Sequence, residues 1–289
     1  MTRFKSLKIH TKPIHNETLT IAYTPDSDDV FNFYAWEQGL ISMDGYDPVF
    51  SRNHIAQLNQ DALHGVHDVV AVSSVMYPLL EREYWILAVG SSVGRGYGPV
   101  LVSKDHTDLE SLGGCRIGVA GKQTTGGMLA AIFTPADAQL VELPYDTIAE
   151  HILSGDLDAG VMIHEELVHY PKLGLNRVCD LGNAWCQSIQ LPLPVGLSLV
   201  KKSLGREVAV EIARTCRDSL LWAIEHKETA MGYADGFGRG CSDTFVPMFS
   251  NTDTLKLPDD VRRGLRALFD RLATMKLMPE LPDYEIIDA

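Results

Sequence analysis

Positive charge is scarce in this chain: 25 lysines and arginines stand against 38 aspartates and glutamates, a formal net charge of −13 over 289 residues. Such a balance repels nucleic-acid phosphates and anionic membrane surfaces, and no run of Lys or Arg offsets it. Nucleic acid and membrane are therefore excluded as partners, and a small acidic substrate has to be held by local groups. Also missing is any stretch of about 18 uninterrupted apolar residues, the length a membrane-spanning helix needs. The opening segment MTRFKSLKIHTKPIHNETLTIAY alternates polar and apolar residues and lacks the apolar core of a secretory signal. Cysteine is sparse: Cys115, Cys179, Cys186, Cys216 and Cys241 are an odd number without CxxC spacing. That pattern argues against a disulfide framework or a zinc ribbon and for a reducing compartment. A cytoplasmic location follows as the expectation.

Internal repeats, low-complexity tracts and linkers are absent too, and a content of 45% hydrophobic and 22% charged residues is that of a globular protein. The β-rich run TLTIAYTP leads through the acidic turn DSDD into the helical pattern VFNFYAWEQGLI. The order recurs, with IAQLNQDALHG as helix, HDVVAVSS as buried strand and VMYPLLERE as a short helix. After YWILAVGSSVGRGYGPVLVSK it restarts with CRIGVAG as strand, KQTTGGMLAAIF as loop into helix, AQLVELPY as strand, DTIAEHILSG as helix and LDAGVMIHE as strand into loop. Strands alternating with helices predict an α/β fold with mostly parallel strands. Exit near Gly98 and return near Pro194 give two crossovers, hence a two-lobed clamshell. Residues 1–98 and 195–289 form a discontinuous first lobe, and 99–194 form the second. From Glu207 onward apolar residues every three or four positions predict helices packed on the first lobe.

Ligands of open α/β sheets bind beyond the carboxyl ends of the strands, where loops and helix N-termini converge. That rule selects TPDSDD (24–29), VSS (72–74), GRGYG (94–98), GKQTTGG (121–127) and IHEE (163–166). Ser73, Ser74, Thr124 and Thr125 sit where hydroxyls and backbone amides cradle an anion, or equally cap their helices. GKQTTGG lacks the GxxxxGK[ST] order, which argues against nucleotide triphosphates. Glycines in GRGYG permit a hinge or a close approach to ligand. Arg95 is a candidate charge for an acidic substrate, although a solvated Arg is the more frequent outcome. Asp26, Asp28 and Asp29 are placed to cap the following helix. They lack the order of a calcium loop.

In GVMIHEELVHY, His164 and His169 are five residues apart, a turn of about 500° on a helix, so the two imidazoles diverge and a zinc site is excluded. His164 alone, at the end of the strand AGVMI, has the chemistry of a general base near neutral pH, with Glu165 orienting it or facing solvent. The bland reading is a histidine that merely starts a helix.

Together and in this order, FNFYAWEQGLI, GRGYGPVLV, GKQTTGGMLAA, LPYDTI, AGVMIHEELVHYPKLGL, DLGNAW and LPLPVGLSLVKKSLG resemble the 1,4-dihydroxy-6-naphthoate synthases of the futalosine route to menaquinone. That family shares a superfamily with chorismate dehydratase, from which the IHE element separates this chain. The likeness spans about residues 20–206, and the C-terminal helices resemble the family only in pattern. It implies a type II periplasmic-binding-protein-like clamshell with no metal and no organic cofactor. It further implies a carbon-carbon lyase that cleaves cyclic dehypoxanthine futalosine to 1,4-dihydroxy-6-naphthoate, with His164 as base. Ser73, Thr124 and Thr125 match the family's substrate-binding hydroxyls, and Asp29 survives from its first loop. That loop otherwise departs from the family's SPCPNDTF: Asp26 and Ser27 replace Cys-Pro, Asp28 replaces Asn and Val30 replaces Thr. Ala71 stands where the family has a lysine. The local charge is thereby more negative, and an anionic substrate is held less well.

Two other readings share these residues. One is a related lyase or hydrolase acting on a different cyclic or aromatic acid, which product analysis separates. The other is a non-catalytic binding protein of the same architecture, marked by a ligand that makes no contact with His164. A homodimer is compatible with all three.

Overall fold

The computed structural model describes residues 16–281 and 283–289; the reading of the opening segment falls mostly on residues 1–15, outside the described ones. β1 (Glu17–Tyr23) feeds α1 (Ser27–Glu37), β2 (Tyr46–Arg52) feeds α2 (Ile55–Leu63), and β3 (Val69–Ser73) feeds the short α3 (Tyr77–Leu80), followed by β4 (Tyr84–Leu87) and β5 (Ser92–Gly94). A second series runs β6 (Val100–Ser103), β7 (Arg116–Val119), α4 (Thr125–Phe133), β8 (Gln139–Glu142), α5 (Ile148–Ser154), β9 (Ala159–Met162), α6 (Glu166–His169), β10 (Asn176–Asp180) and α7 (Leu181–Ile189). The chain returns along β11 (Leu193–Lys201) and ends in α8 (Arg206–Glu225), α9 (Lys227–Ala234), α10 (Ser242–Phe249), α11 (Thr252–Leu255), α12 (Asp259–Thr274) and β12 (Ile286–Ile287).

The strands form two sheets. One is ordered β12-β4-β11-β3-β1-β2 with β5 also on β11, and the other β10-β6-β9-β7-β8. Each βα repeat is parallel, with β1 paired to β2 and β3, and β7 paired to β8 and β9. The strands on which the chain passes between sheets run the other way: β11 is antiparallel to β3, β4 and β5, and β6 to β9 and β10. The sheets are thus mixed where mostly parallel strands were expected, because each strand that enters from the other sheet runs against its neighbours.

Hydrophobic patterning explains the layers. In β1, Leu19, Ile21, Ala22 and Tyr23 are all buried, as in a strand covered on both faces. α1 is buried from Ser27 to Phe33 because it is wedged between the sheet and α8, α9 and α10. α8 turns Ala209, Ile212, Ala213, Cys216, Leu220 and Ala223 inward at spacings of three and four. Each large apolar side chain so buried stabilises the fold by roughly 1.5–3 kcal/mol. α10 departs from the expectation that the C-terminal helices rest on the first sheet's side. Its Phe245 and Phe249 pack with Val100, Val102, Ile148 and Met162 of the second sheet and its helices, so this helix bridges the two layers.

Candidate active site

A partly open cleft enclosing about 690 Å³ of space, solvent at its mouth included, lies between the carboxyl ends of the two sheets. Four of the five stretches chosen from the sequence reach it, through Asp28 and Asp29, Ser73, Thr124 and Thr125, and His164. Val195 to Leu197 of β11 and the two phenylalanines of α10 belong to its apolar wall, with Ile55, Val72, Ile163 and Leu167.

His164 follows β9 with φ 55°, a left-handed conformation uncommon outside glycine. That bend turns the ring out of the strand direction and into the cavity, with 15% of its side chain accessible. Nδ1 lies 2.7 Å from Oδ2 of Asp26, a close ion pair lying off the ideal hydrogen-bond axis. Nε2 is buried without a hydrogen-bond partner. The Tyr145 ring packs against the imidazole at 4.7 Å between centroids, and its hydroxyl donates to Oδ1 of Asp26 at 3.4 Å. Burial pulls the His164 pKa down, but the charges of Asp26, Asp28 and Asp29 outweigh it, and the net shift is upward.

Asp26 occupies the N-cap position of α1 yet makes no capping hydrogen bond; its carboxylate faces His164 instead. Asp29 turns back, Oδ2 accepting from the Thr24 amide at 3.0 Å and the Thr24 hydroxyl at 2.6 Å. Burial raises the Asp29 pKa, and those two hydrogen bonds oppose the rise. Asp28 is raised well above the carboxylate range, by burial and then by the charges of Asp29 and Asp26.

The opposite wall is built from donors already in use. Thr124 caps α4, accepting from the Gly127 amide at 3.0 Å and donating to the Gly121 carbonyl at 2.7 Å. Thr125 donates to the Val195 carbonyl at 2.6 Å. A Cβ on Gly127 would stand 2.2 Å from the Gly121 carbonyl oxygen, so this tight turn into α4 requires glycine. Ser73 is set by Asn59 of α2, whose amide nitrogen donates to Ser73 Oγ at 3.1 Å while its carbonyl accepts the Ser73 amide at 2.9 Å. Asn59 also reaches the Gln123 carbonyl at 3.3 Å, tying the two sides of the cavity together.

Two candidates lie elsewhere. Ser74 is fully buried but does not line the cavity, because residues at a strand end alternate in direction and Ser73 takes the inward one. Arg95 does not line it either. Its guanidinium forks to Asp253 at 2.6 and 2.8 Å and to Asp260 at 2.7 Å, fastening the segment after β5 to α11 and α12. Glycine in GRGYG serves backbone packing: a Cβ on Gly94 would meet the Tyr97 carbonyl oxygen at 1.9 Å.

Glu165 neither orients His164 nor faces solvent. It is 1% exposed and accepts from the Ser27 hydroxyl, the Arg239 amide, the Cys241 amide at 3.2 Å and the Ser242 hydroxyl at 2.8 Å. These donors come from α1 and from the segment entering α10, so one carboxylate clasps the loop after β9 to two distant parts of the chain. Sequence reasoning missed this, along with Tyr145, Asn59, Phe245 and Phe249; only the spacing of the phenylalanines at i and i+4 was visible beforehand. Among the described residues, no three His, Cys, Asp or Glu side chains converge as metal ligands, and no helix is long and apolar enough to cross a membrane.

Comparison with known proteins gives this geometry a context. The family described as menaquinone biosynthesis matches residues 19–274. A 1,4-dihydroxy-6-naphthoate synthase of Thermus thermophilus is 31% identical over 258 residues, covering 88% of this chain and 93% of the relative. One from Streptomyces coelicolor is 30% identical over 279 residues, covering 92% and 97%. The solved alkanesulfonate-binding protein SsuA of Xanthomonas axonopodis, bound to MOPS, superposes with a TM-score of 0.70 at 11% identity, covering 95% of this chain and 99% of its own. That last likeness concerns the fold alone, a periplasmic-binding-protein-like one.

Proposed function

The chain belongs to the menaquinone-biosynthesis family, and from that premise we propose that it converts cyclic dehypoxanthine futalosine to 1,4-dihydroxy-6-naphthoate by carbon-carbon cleavage, with His164 as the base. Its relatives are synthases, so the chain is an enzyme of menaquinone biosynthesis. The observation that carries the assignment of the base is the pairing at His164: Nδ1 against Asp26, and Nε2 buried, unpartnered and turned to the cavity. With the proton held on Nδ1 by Asp26, Nε2 keeps a free electron pair for the substrate. Proton removal makes an imidazolium, and the Asp26 carboxylate stabilises that charge as it forms. The electron pair so released breaks a carbon-carbon bond to the ribose-derived fragment and completes the aromatic ring, and the imidazolium returns its proton to the expelled fragment, which restores the base.

Ser73 binds a polar substrate oxygen in this reading. Its Oγ already accepts from Asn59, which leaves its proton to donate. Thr125 contributes through its backbone amide at the start of α4, since its hydroxyl proton is engaged, whereas the amide and hydroxyl of Thr124 both donate to the Gly121 carbonyl and hold the turn in shape. Asp29 holds the Thr24 corner in shape. We propose further that residues 16–98 and 195–289 move as one body against 99–194, and that the Glu165 clasp marks the closed form, in which water is excluded from the base.

The test is to incubate the purified protein with cyclic dehypoxanthine futalosine and look for 1,4-dihydroxy-6-naphthoate by mass, with His164→Ala alongside. Product from the wild type, and a loss of roughly a thousandfold or more in the variant at unchanged folding, is the expected result. An active His164→Ala enzyme would remove the base from this scheme.

A further inference from the structure

Three aspartates and one imidazole crowd the start of α1, and among the described residues no Lys or Arg lines the cavity they face. Two of the carboxylates have close neighbours of their own: Asp29 takes the amide and hydroxyl of Thr24, while Asp26 receives the Tyr145 hydroxyl on Oδ1 and sets Oδ2 2.7 Å from His164 Nδ1. Asp28 differs. It is 5% exposed, it lines the cavity, and its Oδ1 is buried with no hydrogen-bond partner. A bare carboxylate oxygen so placed, beside two like charges, carries a desolvation cost that a bound proton removes.

We infer that Asp28 is a neutral carboxylic acid in the working enzyme, and that it presents its proton into the cavity as the hydrogen-bond donor to a substrate oxygen that can only accept, as a carboxylate or carbonyl does. This rests on the cavity being the substrate site. It answers how a cavity without a cationic side chain holds an acidic ligand: an O–H donor facing a carboxylate is among the stronger hydrogen bonds, and it adds no charge of the wrong sign. Asp28 is then a specificity-determining residue, set against ligands whose facing group is itself a donor.

The groups around it act in the same direction. From α1 and its approach, Asp26 and Asp29 disfavour a further negative charge; from the loop after β9, His164 opposes them when it carries a proton. Tyr145 faces Asp26, and Arg239 is occupied with Glu166 at 3.3 Å. Glu165 is directed to Ser27 and the 239–242 segment, and α10 contributes only its phenylalanines to this wall. Burial and the two neighbouring aspartates raise the Asp28 pKa, with His164 the chief opponent.

Two measurements decide it. Infrared difference spectra of the ligand-free protein at neutral pH should contain a protonated-carboxyl C=O band that disappears in Asp28→Asn. In steady-state kinetics, Asp28→Ala should raise KM about tenfold or more, and Asp28→Asn, which restores a neutral donor of the same shape, should recover most of that loss. Wild-type KM should climb on the alkaline side as the proton is lost, whereas that of Asp28→Asn stays flat. An infrared spectrum unchanged by Asp28→Asn, or a KM equally raised in both variants, overturns the inference. If the wild type fails to turn over cyclic dehypoxanthine futalosine, the functional reading falls with the kinetic arm, and the infrared band still decides whether Asp28 holds a proton.

Discussion

The two walls of the cavity are built on opposite rules. At the start of α4 the hydroxyl protons of Thr124 and Thr125 are engaged with backbone carbonyls, and Gly127 lets the turn close on itself. At the start of α1 and the end of β9, Asp28 Oδ1 and His164 Nε2 are buried with nothing to bond. Buried polar groups are nearly always satisfied, and leaving one unmade costs about 1–3 kcal/mol. The α4 wall therefore reads as shape, and the α1 wall, under the proposed function, as chemistry whose missing partners the substrate would bring. Electrostatics draws the same line, for the upward pKa shifts of His164, Asp28 and Asp29 all fall on the second wall.

Substitution at Asp26 tests that contrast most severely. Asp26→Asn should lower kcat roughly a hundredfold by loosening the imidazole and withdrawing the charge that stabilises its protonated form. It also moves the pH profile in a defined direction. A base works when neutral, so activity rises with pH through the His164 pKa; Asp26 holds that pKa up, and its loss should shift the rise toward lower pH. A pH–rate profile that does not move would place the control of His164 elsewhere.

Next in size is Glu165→Gln, which should cost about 2 kcal/mol of stability, because an amide cannot accept from all the donors that converge on the carboxylate. Urea unfolding reads the loss, and a midpoint equal to wild type would mean the clasp contributes nothing to the resting fold. On the α4 wall, Thr124→Ala should lose about 1 kcal/mol with the helix cap. If it instead raised KM with no change in stability, the division of labour between the walls would be wrong. The smallest effect is expected from Arg95→Ala, a half-exposed ion pair worth at most about 1 kcal/mol, with KM unaltered. A raised KM there would return Arg95 to the substrate-binding residues.

Much of this arrangement was legible before any coordinates. The alternation of strand and helix, the spacing of apolar residues in α8, and the rule that ligands meet strand ends together pointed to the segments holding Asp28, Asp29, Ser73, Thr124, Thr125 and His164. What escaped depends on contacts between segments far apart in the chain. Asp26 looked like a helix cap because local sequence says nothing of the imidazole arriving from β9. Arg95 looked available because its carboxylate partners come from Asp253 and Asp260. Ser74 was grouped with Ser73 by adjacency, although neighbours at a strand end point opposite ways. Phe245 and Phe249 were not singled out at all, because their i, i+4 spacing says nothing of the second-sheet layer they cover.

The clasp at Glu165 also sets a clock. In the proposed lobe motion, substrate entry and product release would part this carboxylate from Ser27, Cys241 and Ser242 and remake those bonds afterwards. On that proposal opening would stand in series with the chemical step, and its rate would be a ceiling on kcat whatever the imidazole can do. Accelerating the chemistry beyond that ceiling would gain no flux, so the residue that governs the tempo of turnover is the one that follows the base in the chain.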